Sequence, residues 1–263
     1  MLSVAKVCGN KPTDLPGLFE IIASFREEQL RIFGEQKIDP RVGLLVGRRH
    51  PSPDFVDIRE ASSIIQDAPS GAIVVVTHLD TLTEQIDLIG ETGAETIQIH
   101  TKRPKPEDIE VLKKHYPNRH FWHVIHAPQR YADPAKTQRA ERDTLAMAEE
   151  LFSLGVTVVL DSFDIASGRV GGTGLAVEEG YAKRFINDLR KGGSKGRVIL
   201  AGGLQPHNVI DKIREIRPDG IDANTGLNIS KDNRSKDPRK VRAYLGGALE
   251  GAYHRRPSGL WVC

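Results

Sequence analysis

The sequence has few of the residues that mark several specialised classes of protein. Its two cysteines, Cys8 and Cys263, stand at opposite ends of 263 residues, which gives neither a disulfide framework nor the spacing of a metal site. No apolar run approaches the roughly 18 residues that span a bilayer, and the first residues lack the basic and apolar regions of a signal peptide. We therefore expect a cytoplasmic protein with no membrane partner and no bound metal.

Neither sign of charge dominates the chain. The 37 basic and 35 acidic residues leave a formal net charge of +2, so the whole chain gives no reason to expect nucleic acid as a partner. Basic clusters over 183–195 and 234–240 are interleaved with acids and lack stacking aromatics, which is typical of solvated helix faces. The sequence predicts no particular oligomeric state.

What the chain does contain is a regular alternation of short apolar runs and longer segments with helical periodicity. The predicted strands are 5–9, 42–46, 72–76, 96–100, 121–126, 156–161, 197–201 and 221–226. The predicted helices are 15–33, 57–66, 82–90, 106–116, 134–154, 177–189, 206–216 and 238–249. Eight strand–helix units without a low-complexity linker predict an α/β fold, a single (β/α)8 TIM barrel over 1–250 with a C-terminal tail over 251–263. An open doubly wound sheet is disfavoured, because no fingerprint glycine loop follows the first strand.

The run from Val198 to Ala201, followed by Gly202 and Gly203, predicts a buried strand that ends in bare backbone. Glycines at this point allow a ligand to approach the N–H groups closely. The helix predicted to open at Pro206 would add a positive N-terminus, which suits an anion such as phosphate. An ordinary strand-to-helix turn explains the same residues, so this stretch alone leaves both interpretations open.

In a barrel of this kind the site forms where the strands end at their carboxyl side. The candidates at the predicted ends are Cys8, Arg48, Arg49, Thr77, His78, His100, His126, Asp161, Gly202, Gly203, Asn224 and Thr225. A thiol and a carboxylate at one barrel mouth can serve as a general base and a general acid. Each also has a structural interpretation, the cysteine as a small buried hydrophobe and the aspartate as a cap.

Several motifs follow one another from the first unit to the last. They are Lys6-Val7-Cys8-Gly9, Gln98-Ile99-His100, Leu160-Asp161-Ser162 with Gly171-Gly172-Thr173-Gly174, Leu200-Ala201-Gly202-Gly203-Leu204, Gly220-Ile221-Asp222-Ala223-Asn224-Thr225-Gly226 and Lys236-Asp237. Together they resemble the motifs of the phosphoribosylanthranilate isomerases, (β/α)8 enzymes of tryptophan biosynthesis. Any one of them is a weak signal, whereas the ordered set is specific and covers nearly the whole barrel.

The resemblance implies an isomerase that catalyses an Amadori rearrangement, an intramolecular oxidoreduction of an aminoaldose phosphate to an aminoketose phosphate. Cys8 matches the family's base and Asp161 its acid, roles that would suit a lowered thiol pKa and a raised carboxyl pKa. No cofactor is implied. The residues expected to bind the phosphate are Gly202, Gly203, Asn224, Thr225 and Gly226, with Gly172, Thr173 and Gly174 in a loop that folds over the ligand.

The chain departs from the family in its second loop. Ser52-Pro53-Asp54-Phe55-Val56 stands where the family has Ser-Pro-Arg-(Tyr/Phe)-Val, whose arginine pairs with the anthranilate carboxylate. An aspartate would repel that carboxylate. Other residues expected near the substrate are Gln98, His100 and the pair Arg48 and Arg49, which are candidates to replace the missing arginine. Asn228 also stands where the family commonly has glutamate.

This departure leaves the amine moiety of the substrate open. One alternative is a divergent barrel isomerase with the same acid–base pair that acts on a different phosphosugar amine, neutral or positively charged. Another is a barrel that binds a phosphometabolite without catalysis. We expect a small phosphosugar as the partner in each case.

Overall fold

Eight parallel strands form the centre of the structure. The computed structural model describes residues 1–47, 54–101, 105–128, 130–164, 169–170, 176–255 and 261–262, with only the backbone described at 163–164, 169–170, 254–255 and 261–262. The strands are β1 (Val4–Val7), β2 (Asp39–Val46), β3 (Ile73–Thr77), β4 (Thr96–Ile99), β5 (His120–His126), β6 (Thr157–Asp161), β7 (Val198–Leu200) and β8 (Gly220–Ala223).

The sheet closes on itself because β1 pairs with β8 on one side and with β2 on the other. Lys6 lies opposite Asp222 across the first seam, and Val7 lies opposite Val42 across the second. Every other barrel strand pairs in parallel with its neighbours in the sequence. A closed cylinder has no unpaired edge. The predicted single (β/α)8 barrel is confirmed, and the open doubly wound alternative is excluded.

The predicted helix after each strand is present. The helices are α1 (Leu15–Phe33), α2 (Ile58–Asp67), α3 (Leu82–Thr92), α4 (Pro106–His115), α5 (Pro134–Ser153), α6 (Glu179–Lys191), α7 (Val209–Ile216) and α8 (Pro238–Ala252). Local chemistry explains many of their ends. Thr81 and Asp237 accept hydrogen bonds from first-turn N–H groups of α3 and α8, and Gly34 ends α1 in the left-handed conformation.

Two predicted boundaries at the barrel mouth are wrong. Helix α7 begins at Val209 rather than Pro206, because Asn208 closes a turn by bonding Gln205 N and Gly203 O through its side chain. Strand β8 ends at Ala223, and residues Thr225–Leu227 form a 3-10 helix instead of continuing it. Side chain–backbone bonds of asparagine favour such turns, and hydrophobic periodicity does not reveal them.

Two short antiparallel pairs lie outside the barrel sheet. Phe163–Asp164 pairs with Arg169–Val170 in the loop after β6, and His254–Arg255 pairs with Trp261–Val262 after α8. Helix α8 itself continues to Ala252, slightly past the end predicted for it. Within the described residues, no helix is both long enough and apolar enough to cross a membrane.

Apolar side chains pack in two layers, as the alternation of side chains along each strand requires. The outer layer lies between the barrel and its helices and includes Leu44, Ile97, Leu151 and Tyr244. The inner layer fills the barrel and comprises Val4, Cys8, Leu45, Val74, Val76, Trp122, Val124, Val159, Ile199 and Ala201. Cys8 therefore belongs to the interior of the barrel.

A neighbouring pair of glycines in α8 tests how tightly the outer layer is packed. A Cβ on Gly247 would come within 2.6 Å of Val209 Cγ1 in α7, whereas a Cβ on Gly246 would meet nothing within 4 Å. We expect Gly247→Ala to lower the free energy of unfolding by about 1–3 kcal/mol through overpacking. Gly246→Ala should raise it by roughly 0.5–1 kcal/mol, because alanine favours the helix. Urea titration followed by circular dichroism measures both, and equal effects would contradict the packing described here.

Candidate active site

A buried ion pair lies at the centre of the barrel mouth. Lys6 Nζ is 2.8 Å from Asp222 Oδ2 and donates a hydrogen bond to Gln98 Oε1, and its side chain is completely buried. The same ammonium group lies 5.7 Å from the centroid of the Trp122 ring. Burial lowers the pKa of Lys6, but the charge of Asp222 and its hydrogen bond to the lysine contribute most to raising it. Lys6 is therefore a permanent cation inside the barrel.

Cys8 follows β1 directly and is held by its backbone, which donates to Ala223 O at 2.8 Å. Burial raises the pKa of its thiol to about 11, although Lys6 opposes this rise and Asp222 adds to it. The expectation of a lowered thiol pKa is therefore wrong, because loss of hydration outweighs the nearby cation. At neutral pH Cys8 carries its proton.

Asp161 ends β6 and lies opposite His126 in the register of β5 and β6. Burial raises the pKa of its carboxyl to about 7. The Ser162 N–H opposes this rise, because it donates a hydrogen bond to Oδ1 at 2.7 Å and so stabilises the carboxylate. The expected raised pKa is confirmed. The charge of Lys6 acts on the pKa of Asp161 and on that of Cys8. The charges of one ion pair thus act on both the thiol and the carboxyl, and of these two groups the carboxyl titrates near neutral pH.

The loops after β6, β7 and β8 approach one another closely at glycines. Gly202 and Gly203 both have positive φ, 83° and 66°, which other residues rarely adopt. A Cβ on Gly203 would lie 2.9 Å from Ala176 Cα, and one on Gly226 only 2.2 Å from Leu204 O. Backbone therefore packs on backbone here, and the predicted phosphate residues Gly202, Gly203, Asn224, Thr225 and Gly226 lie in one region.

Lys236 adds a cation to this region that the sequence analysis did not assign. Its Nζ donates to Asn224 Oδ1 at 2.9 Å and to Asn228 Oδ1 at 2.6 Å, both neutral acceptors. Burial lowers the pKa of Lys236 to about 8. Because asparagine stands at 228 in place of the family's glutamate, that position offers Lys236 no countercharge. The lysine in the Lys236-Asp237 motif was the available signal.

Across the mouth, four rings form what we term the ring row, which consists of Phe55, His78, His100 and His126. Successive ring centroids are 5.6, 4.7 and 5.4 Å apart. Burial lowers the pKa of His100 and of His126, and for His100 the neighbouring imidazoles lower it further. His100 and His126 are therefore uncharged at neutral pH. The sequence indicated His100 as a substrate residue, but the stacking of these rings across strands has no local sequence signal.

Asp54 and Gln98, both expected near the substrate, each hold a cation. Asp54 is buried, and its Oδ2 lies 3.0 Å from Arg234 Nη1, whereas Gln98 accepts from Lys6. The remaining candidates, Arg48, Arg49, Gly172, Thr173 and Gly174, lie outside the described residues. In the part of the chain that the structure describes, no group of three or more histidine, cysteine or acidic residues is arranged to hold a metal ion.

The buried ion pair provides a test of what stabilises the mouth. Lys6→Met leaves Asp222 buried without its cation, and we expect a loss of roughly 3–5 kcal/mol in the free energy of unfolding. Lys6→Met combined with Asp222→Leu removes both charges and should recover most of this loss. Guanidinium titration of the two variants checks the expectation. A double variant no more stable than Lys6→Met would show that the charge of Asp222 is not the cause.

Comparison with known proteins adds independent information. A family model described as N-(5′-phosphoribosyl)anthranilate (PRA) isomerase matches residues 44–246. N-(5′-phosphoribosyl)anthranilate isomerase 2 of Methanosarcina mazei is 33% identical over 204 residues, which cover 76% of this chain and 80% of that protein.

Solved structures share the fold. The N-(5′-phosphoribosyl)anthranilate isomerase of Pyrococcus furiosus aligns with a TM-score of 0.64 at 21% identity, over 94% of this chain and 98% of that one. A phosphoribosyl anthranilate isomerase in complex with reduced 1-(o-carboxyphenylamino)-1-deoxyribulose 5-phosphate aligns over the same shares, with a TM-score of 0.61 at 19% identity. The resemblance of the motifs is confirmed: this chain belongs to the N-(5′-phosphoribosyl)anthranilate isomerase family.

Proposed function

We propose that this chain converts N-(5′-phosphoribosyl)anthranilate into 1-(o-carboxyphenylamino)-1-deoxyribulose 5-phosphate, the Amadori rearrangement of tryptophan biosynthesis. One observation carries the proposal. A carboxyl group with a pKa of about 7 and a thiol are both subject to the charges of the Lys6–Asp222 ion pair at the mouth of a barrel. An acid that still holds its proton near neutral pH is what ring opening needs. Membership of the family supports the substrate assignment.

Asp161 acts as the general acid in the first step. Its proton passes to the ring oxygen of the ribosyl group as the C1′–O bond breaks, and the nitrogen lone pair forms a protonated imine. Asp161 becomes a carboxylate. Burial makes this charged form costly, so the carboxyl gives up its proton more reluctantly than in water and is poised near neutral pH.

Cys8 acts as the base in the second step. The protonated imine places a new positive charge beside the thiol, which adds to that of Lys6 and favours loss of the thiol proton to solvent. The thiolate then removes the proton on C2′, and the electron pair neutralises the imine to give an enolamine. Protonation at C1′ and loss of the proton from the C2′ hydroxyl complete the aminoketose. These are proton transfers only, so the proposal includes no cofactor.

The phosphate is held at the glycine-rich end of the mouth. Barrels of this class commonly bind phosphate after strands seven and eight, and the close approach of these two loops supports the same placement here. Lys236 supplies the countercharge. The proposed phosphate residues are Gly202, Gly203, Asn224, Thr225, Gly226, Gly172, Thr173 and Gly174. We propose that the protein works in the cytoplasm and that its partner is this small phosphosugar.

Turnover of phosphoribosylanthranilate tests the function directly, through the loss of its anthranilate-type fluorescence. We expect Cys8→Ala and Asp161→Asn each to lower kcat by about 10²–10⁴-fold, the usual contribution of a positioned base or acid. Cys263→Ala is the matched control, since it removes the chain's other cysteine. Full activity in both active-site variants would refute the two roles, and no turnover by the unaltered protein would refute the substrate.

The stability of the protein reports on Asp161 without any assay of activity. The folded-state pKa of about 7 lies above the usual value for aspartate, so the folded protein binds the extra proton and loses stability as pH rises through 7. Asp161→Asn removes this penalty. We expect its Tm to exceed that of the unaltered protein at pH 8, with the difference shrinking towards pH 5. A difference that does not depend on pH would contradict the raised pKa.

A further inference from the structure

The substrate assigned above carries a carboxylate on its aromatic ring, and a cation must receive it. This inference rests on the proposed function. An anionic group that leaves water for a protein pocket binds only where charge and hydrogen-bond donors replace its hydration. The position that supplies an arginine in the family holds Asp54 here, so the cation has to come from elsewhere in the chain.

Two buried lysines at the mouth, Lys6 and Lys236, already have hydrogen-bond partners within the protein. Lys6 is completely buried and bonded to Asp222 and Gln98. Lys236 is bonded to Asn224 and Asn228 in the phosphate region. Both ammonium groups therefore already donate to acceptors within the protein, and the proposed function uses Lys236 for the phosphate.

Arg234 lies beside the Phe55 end of the ring row. Its Nη1 is 3.0 Å from Asp54 Oδ2, and Asp54 directly precedes Phe55, the first member of the ring row. The row continues through His78 and His100, which follow β3 and β4. The Asp54–Arg234 pair joins the loop after β2 to the far part of the loop after β8, at the Phe55 end of the ring row and on the opposite side of β8 from β7.

The chemistry of this ion pair differs on its two sides. Asp54 is almost fully buried, with 3% of its side chain exposed, whereas Arg234 keeps 36% exposed. A guanidinium group is planar and can contact carboxylates along more than one edge, so a buried aspartate can fix its plane while leaving it a donor to a ligand. The negative charge of Asp54 is then paired with Arg234, although it also acts on Lys236.

We propose that Arg234, oriented by Asp54, binds the carboxylate of the anthranilate moiety and sets the preference of this enzyme for a carboxylated amine. Asp54 is a positioning residue, and the cation reaches the site from the loop before α8 rather than from the loop after β2. Asp54, which alone would repel the substrate carboxylate, thus orients the arginine that binds it.

The experiment compares two substrates that differ only in the carboxylate, phosphoribosylanthranilate and N-(5′-phosphoribosyl)aniline. For Arg234→Gln we expect kcat/KM for the first to fall by about 10–100-fold, the effect of a lost charge-assisted hydrogen bond, mainly through KM. The value for the aniline compound should stay unchanged, which also shows that the variant is folded. Arg239→Gln, which alters an arginine with 92% of its side chain exposed, is the matched control.

The double variant Asp54→Asn/Arg234→Gln separates the loss of carboxylate binding by Arg234 from repulsion of the substrate by an unpaired Asp54. The single Arg234→Gln variant leaves an uncompensated carboxylate beside the substrate, so the double variant should recover part of the lost kcat/KM. Equal losses for both substrates in Arg234→Gln would overturn the inference and indicate a structural role. The inference would also be overturned if kcat/KM of Arg234→Gln were unchanged for both substrates while Arg48→Gln or Arg49→Gln lost activity selectively on phosphoribosylanthranilate. Failure of the unaltered protein to use either substrate would instead refute the proposed function.

Discussion

Lys6 is a lysine inside a barrel, and the arrangement of the mouth depends on how its charge is neutralised. Four strands supply its surroundings: β1 carries it, β8 supplies Asp222, β4 supplies Gln98 and β5 supplies the face of Trp122. A slip of one residue between β1 and β8 would turn one charge away from the other and leave both unpaired, which is very costly in a buried site. The ion pair therefore fixes the register at the seam where the barrel closes. Its field also reaches the thiol and the carboxyl on either side, so one interaction serves both the fold and the proposed chemistry.

The mouth is chemically divided between its two ends. At one end, glycine backbone and a lysine held by neutral asparagine oxygens suit a dianionic phosphate. At the other, the ring row forms an aromatic surface that ends at an arginine–aspartate pair. An elongated ligand with a phosphate at one end and an aryl group at the other can bind such a mouth in only one direction. In the proposed reaction, the sugar carbons of such a ligand lie between Cys8 and Asp161.

Elements that depend on local pattern could be predicted from the sequence. The alternation of apolar runs predicts all eight barrel strands, and the positions of Cys8 and Asp161 follow from the rule that strand ends line the mouth. What the sequence does not reveal depends on contacts between distant residues. The raised thiol pKa arises from burial, which a strand-end position does not disclose. The partnership of Asp54 with Arg234 joins two loops far apart in the chain, so Asp54 alone suggested only repulsion. The turn before α7 depends on the side chain of Asn208.

The two charges of the central ion pair come from opposite ends of the chain, and this has a consequence for synthesis on the ribosome. Lys6 belongs to the first barrel strand and is made more than 200 residues before Asp222, which belongs to the last. Until β8 has been made, the nascent chain cannot complete its cylinder, and β1 lacks the partner that would neutralise its lysine. A charge that stays hydrated delays burial of the strand that carries it. Closure of the barrel therefore waits until the last strand has been made.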